Sequence, residues 1–354
     1  MPPTYSTLAI LIGIFAGSSA LALDPPAKNI PASMVNIDAP GTLAQTLIEL
    51  EKQTGIKVLA GSLDPALPIA VPLRNVPFWT ALETMAANSG SRIVTSKQGK
   101  QIAFAKKEAD NRSSIDGAFR FVPKNVAART DLERGRTYYD LTLDIQWEPR
   151  FPVFRIDSQP KIRTATDDKG TALTSPAISA KSPTTGSAHT ATIRIDGLTR
   201  SARTIARLEG EFIVTASPKM LAFEFEDLQA KLPIVKERDG VKVTLKSFAK
   251  IEDRWDVELH LEYPASHPEF ESFESWATGN AIRLIAPNAG NSYAEDNYDI
   301  TGSGRRVVAA YRFKDATIGQ RDPTKAKGWK IVYETPAPLI EFPIRFDCKD
   351  IPLP

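Results

Sequence analysis

Three histidines, one cysteine and a few clustered acids are the side chains of this sequence with a claim to chemistry. Zinc needs nitrogen or sulfur ligands gathered by short fixed spacings, and no His-Glu-x-x-His or Cys-x-x-Cys occurs. His189 stands in a polar stretch, His260 alternates within a strand-like run, and His267 precedes Pro268. Cys348 has no cysteine to pair with, so it closes no internal disulfide. It alternates with Phe346, the pattern of a small buried apolar side chain rather than an activated thiol. Ser158 and Lys161 have the Ser-x-x-Lys spacing, but Pro160 breaks the helical turn that would join them. There is no Gly-x-Ser-x-Gly elbow, and Gly302-Ser303-Gly304 lacks the lysine of a phosphate loop.

The acids need more care, because glycoside hydrolysis requires only two carboxylates facing each other. Glu295, Asp296 and Asp299 crowd the stretch Pro287 to Gly304, where oxygen ligands could hold calcium or simply be solvated; the spacing is not that of a known calcium loop. Glu224 and Glu226 alternate with Phe223 and Phe225, which puts them on an outer face. Trp79 follows Phe78 and reads either as the edge of a core or as a partner-contact residue, since tryptophan is enriched at interfaces. No residue is assigned a catalytic role, and no cofactor motif is present.

Composition narrows the class. A chain of 354 residues can bury two or three cores. A net charge of +2 argues against a nucleic-acid partner. Residues 8–23, LAILIGIFAGSSALAL, form one apolar run that ends in Ala20-Leu21-Ala22, the small residues a signal peptidase accepts. Residues 1–22 therefore read as a signal peptide, with an uncleaved anchor as the alternative. No second apolar run follows, so no transmembrane span is expected in the mature chain, placed in the periplasm or outside the cell.

The stretch that would position these residues first is Ile37 to Gly90. Val35-Asn36-Ile37 reads as a strand, Thr42 as a helix cap, and Leu43, Leu47 and Leu50 as one apolar stripe ended by Gly55. Ile56–Leu59 and Ile69–Leu73 read as strands, the latter an edge strand because Pro72 lacks an amide hydrogen. A second helix starts near Pro77, buries Phe78, Leu82 and Met85, and stops at Gly90. A hairpin follows, 92–95 and 101–104, turning at Lys97–Lys100. This βαββαββ order, in VNIDAPGTLAQTLIELEKQTGIKVLAGS and IAVPLRNVPFWTALETMAANSGSRIV, resembles the secretin and TonB N-terminal short domain over residues 35–106. The resemblance implies a periplasmic module that contacts other proteins, although no secretin core and no series of membrane strands follows.

The expected fold is thus multidomain: a small α+β domain at 28–108, a polar linker at 109–117, then two all-β antiparallel sandwiches at 118–230 and 231–354. Short alternating runs punctuated by Pro, Gly, Asp and Asn carry the second part. It resembles the tandem immunoglobulin-like sandwiches of exported bacterial proteins. The halves echo one another: Gly210–Val214, Pro218 and Phe223–Leu228 match Gly328–Val332, Pro338 and Phe346–Ile351. Thr164–Ser187 and Pro287–Gly304 read as long loops. The functional expectation is a non-enzymatic envelope protein that binds another envelope protein or a surface polymer. A carboxylate-dependent hydrolase of polysaccharide or peptidoglycan, and a structural spacer, are the alternatives.

Overall fold

The computed structural model describes residues 29–38, 41–107, 112–199, 201–228, 232–267, 280–287, 292–318, 323 and 328–354. The expected signal peptide, residue 108 and residues 109–111 of the expected linker lie outside these. The chain is mostly β, and among the described residues its sheets are antiparallel apart from one parallel pairing.

Among the described residues both long helices lie near the N-terminus. The order there is β1 (Met34–Ile37), β2 (Gly41–Thr42), α1 (Leu43–Thr54), β3 (Val58–Leu59), β4 (Pro68–Ile69) and β5 (Leu73–Pro77), then α2 (Phe78–Asn88), β6 (Ser91–Ser96) and β7 (Gln101–Lys106). Thr42 and Gln45 close a reciprocal cap on α1. The Gln45 amide donates to Thr42 Oγ1 at 3.3 Å, and the Thr42 amide donates to Gln45 Oε1 at 3.0 Å. Gly55, at φ +71°, ends the helix. Leu43, Leu47 and Leu50 pack with Phe78, Leu82 and Met85 in one core. Pro72 corrects one expectation: it does not sit within an edge strand but falls in the gap between β4 and β5, where its missing donor leaves no ladder bond unmade.

The polar stretch expected as a linker holds a strand, β8 (Ser114–Asp116), which lies on the edge of β9 (Phe119–Asp131). After β9 come β10 (Arg136–Trp147), β11 (Val153–Asp157), β12 (Lys161–Asp167), β13 (Lys181–Pro183), β14 (Ala188–Ile195) and β15 (Thr204–Ala216). The sheet β14-β10-β9-β8 and the sheet built on β15 share one core, where the Phe121 and Phe212 rings stack at 6.4 Å.

The remaining elements are β16 (Met220–Phe225), β17 (Ile234–Arg238), β18 (Val241–Ile251), β19 (Arg254–Glu262), β20 (Ala281–Ile285), β21 (Ser292–Ala294), β22 (Asn297–Ser303) and β23 (Arg306–Lys314). They are followed by the short α3 (Asp315–Ile318), β24 (Lys330–Pro336) and β25 (Ile340–Pro352). Sheets β17-β18-β19-β23-β22 and β16-β24-β20-β21 enclose the third core.

Two strands are not where the sequence boundaries put them. β16, expected in the first sandwich, pairs with β24 and buries Phe223 and Phe225 in the third core. β25, expected in the second, pairs along its length with β15 and buries Phe342, Ile344 and Phe346 against the first sheet pair. Gly210 makes room for this, because a Cβ there would lie 2.8 Å from the Phe346 ring. Thr204 faces Pro352 at one end and Phe225 faces Ile331 at the other, and the register between them never slips. The two pairings therefore form one antiparallel ribbon running from sheet pair to sheet pair. Pro218 and Pro338 interrupt its strands at the crossing. Across it the Ala337 amide donates to Lys219 O at 3.0 Å and Ser217 Oγ donates to Ala337 O at 3.1 Å.

Candidate binding groove at the seam

Helix α2, strand β6 and the chain ahead of β1 meet β9 and β10 along a polar seam. Trp79, on α2, is fully buried, and its indole N–H donates to Ala118 O at 3.0 Å. The same carbonyl accepts the Glu148 amide at 3.2 Å. This corrects the partner-contact reading of Trp79: the ring that could reach a partner is spent inside the chain. Arg120 lies 5.8 Å from the centre of the Trp79 ring and donates to Glu83 Oε1 at 2.7 Å and to Gln146 Oε1 at 2.8 Å. Burial pulls the pKa of its guanidinium down, and Glu83 opposes the shift. Gln146 in turn donates to Thr95 Oγ1 on β6 at 3.0 Å.

A second lock is the carboxylate of Glu148, whose side chain has no exposed surface. It accepts the Ser33 amide at 2.9 Å, the Ser33 hydroxyl at 2.7 Å and Arg150 Nε at 2.6 Å. Arg150 also donates to the carbonyl of Pro31, which ties down the chain ahead of β1. The third lock is backbone to backbone. The β6–β7 turn presents Gln98 O to the Ser187 amide at 2.7 Å. Gly99 and Gly186 permit this approach, since a Cβ on either would fall within 2.4 Å of a backbone atom across the contact.

Beside these locks the seam stays open. A cavity of about 550 Å³ is lined by Glu83, Arg112, Ser113, Ile115 and Asp347 to Asp350. It adjoins a hollow of about 350 Å³ bounded by Pro123 to Val126, Leu141 and Lys349 to Pro352, with Arg112, Lys349 and Asp350 common to both. β8 lends Ile115 to the larger cavity and is tied to β25. Its Asp116 carboxylate accepts the Arg345 amide at 2.7 Å and its Ser114 hydroxyl accepts the Asp347 amide at 2.9 Å. Arg112 pairs with Asp350. Cys348 is buried behind this wall, where burial, with Asp347 adding to it, pushes the thiol up to about 12. A thiol held protonated is no nucleophile at neutral pH.

The other residues with a claim to chemistry are scattered. His189 is on β14, its pKa lowered by burial. His260, on β19, lies with Nε2 2.6 Å from Glu258 Oε1, and the His267 ring lies 4.3 Å from that of Tyr263. Ser158 Oγ donates to Ala180 O at 2.9 Å. The stretch expected as a loop from Pro287 to Gly304 contains edge strands β21 and β22, with Tyr293 stacked 6.1 Å from Trp329. Asp296 there accepts the Lys314 amide at 2.6 Å and Asp299 pairs with Arg312. Neither converges with Glu295 on a common point, and among the described residues no three His, Cys, Asp or Glu side chains group as a metal site requires. Glu224 pairs with Lys330 at 3.0 Å on an outer face, and that hydrogen bond lowers its pKa.

Sequence reasoning missed the seam residues. Arg120 sits inside the run Ala118–Val122, and Glu148 directly follows Trp147. A lone charge embedded among core aromatics is the signal that was there to read. No family model, curated protein or solved structure matches this chain. No helix among the described residues is long and apolar enough to cross a membrane.

Proposed function

We propose that this chain is an exported, non-enzymatic envelope protein that holds another envelope protein. In this reading residues 28–108 are a small α+β domain of the secretin and TonB N-terminal short type, fastened to the first of two immunoglobulin-like sandwiches. The observation that carries it is the groove beside the seam, an open concave surface to which α2, β9, β10, β25 and the stretch around β8 all contribute. Concave sites at the meeting of structural units are where ligands bind. Locks on one flank keep its walls in place, which lowers the ordering cost of binding. The resemblance over residues 35–106 supports a protein partner, and the apolar run with Ala20-Leu21-Ala22 supports export.

The test is photocrosslinking in the native envelope, with a photoreactive phenylalanine analogue at Ile115 or Asn125 and, as the remote control, at Val235, which is 51% exposed. One discrete adduct from the groove positions and none from Val235 is expected. The same smear of products from all three positions, or no product from any, overturns the reading.

A further inference from the structure

The groove is an interrupted strand track. β8 covers the edge of β9 only from Phe119 to Phe121. From Val122 to Asp131, the side of β9 away from β10 pairs with no strand among the described residues. β25 has its strand partner in β15; on its other edge β8 side chains take the Arg345 and Asp347 amides, and beyond them Lys349 to Pro352 border the same gap. The 350 Å³ hollow lies between these two edges and opens where β8 stops, at Arg112. Its charged lining is Arg112, Lys124 and Lys349 against the single carboxylate of Asp350, over an apolar floor that includes Leu141 and Ile351. The register of β9 slips by one residue at Lys124, next to Pro123. Such devices stop an edge from accepting arbitrary strands, so an occupant has to be chosen by its side chains.

Resting on the binding function above, we propose that the hollow receives an extended acidic segment of the partner protein, which pairs with β9 as a further strand in line with β8. Main-chain bonds to a free edge supply affinity, and alternate side chains supply selection. One face of such a segment rests on Pro123, Val126 and Pro352, the apolar lining that keeps exposed surface. The other brings its carboxylates to Lys124 and Lys349, whose side chains are 35% and 62% exposed and hold only long ion pairs within the chain, to Asp144 at 3.5 Å and to Asp347 at 3.6 Å, for which an incoming carboxylate competes.

The test uses the full chain and a blocked, fluorescein-labelled hexapeptide of alternating valine and aspartate, read by anisotropy. Saturable sub-millimolar binding is expected, together with its loss when alternate peptide amides are N-methylated. Lys124→Glu combined with Lys349→Glu should weaken binding roughly tenfold or more, and should let the valine–lysine hexapeptide bind instead. Absence of saturable binding, indifference to N-methylation, or indifference to charge reversal overturns the proposal. So does a wild-type dimer that the charge-reversed variant dissolves, which would assign the edge to a second copy. If crosslinking captures the same envelope partner with the charge-reversed chain, the binding function stands and only the strand fails.

Discussion

The molecule is joined in two places, and the two joints are made of different chemistry. At the N-terminal seam the contacts run largely through side chains: a buried guanidinium, a carboxylate with no exposed surface, and an indole donating to a carbonyl. At the junction of the two sheet pairs they run through backbone, as one antiparallel ribbon that keeps its register across the crossing. A buried ion pair gains little net stability over an apolar contact of the same shape, but leaving half of it behind is expensive. A ladder has no single such point of failure, because every residue contributes the same modest bond. The seam is therefore specific and fragile at named atoms, and the ribbon is redundant except where its strands also fill a core.

That exception gives the largest expected effect. Deleting residues 340–354 removes β25, and with it Phe342, Ile344 and Phe346 from the first sheet pair. Each such side chain contributes about 2 kcal/mol, so the loss approaches the whole stability of a domain. Hydrogen exchange should show β10 and β15 unprotected while β18, β19 and β23 stay protected. Retained protection in β15 would mean that β25 is an appendage and that the first core closes without it. At the seam, Glu148→Ala strands the Ser33 donors and Arg150, and a cost of about 3 kcal/mol is expected. A urea midpoint that does not move would show the seam to be as redundant as the ribbon.

This contrast also divides what the sequence discloses from what it hides. Local signals were sufficient for α1, where Thr42 and Gly55 mark both ends, and for the β6–β7 turn at Lys97–Lys100. They depend only on neighbours in the chain. Alternation identified β16 and β25 as strands but could not name their partners, since any alternating strand suits any apolar sheet face. The repeat between the halves made matters worse, because it invited each last strand to be assigned to its own half. The edge strands β8, β21 and β22 were hidden for the opposite reason. They bury little, so their composition is that of a loop. Trp79 and Arg120 fix each other across the seam, and neither position alone carries that information.

A smaller change sharpens the seam side of the comparison. Gly99→Ala places a Cβ 2.4 Å from the Ser187 carbonyl carbon, at a backbone φ of +80°. Gly117→Ala is the control, with a φ of +56° and open space around it. Both carry the left-handed penalty of about 1 kcal/mol, and the clash adds about 1–2 kcal/mol for Gly99 alone. The expected signature is faster exchange of the Ser187 amide in Gly99→Ala, with β9 unchanged. Equal destabilisation by both substitutions would remove the third lock.

The smallest effect is expected at the ribbon's own crossing. Ser217 is fully buried, and its hydroxyl lies within bonding distance of Lys219 O at 2.8 Å and Ala337 O at 3.1 Å. Ser217→Ala removes that donor, but Lys219 O keeps the bond from the Ala337 amide and the ladder continues on both sides. The net worth of one such bond is about 1 kcal/mol, and here the neighbouring pairs hold the geometry, so the expected loss is no larger. The comparison is between this value and that for Glu148→Ala, measured in the same denaturant series. A loss for Ser217→Ala as great as for the seam carboxylate would mean that the crossing is held by its side chain, and that the two joints obey one rule.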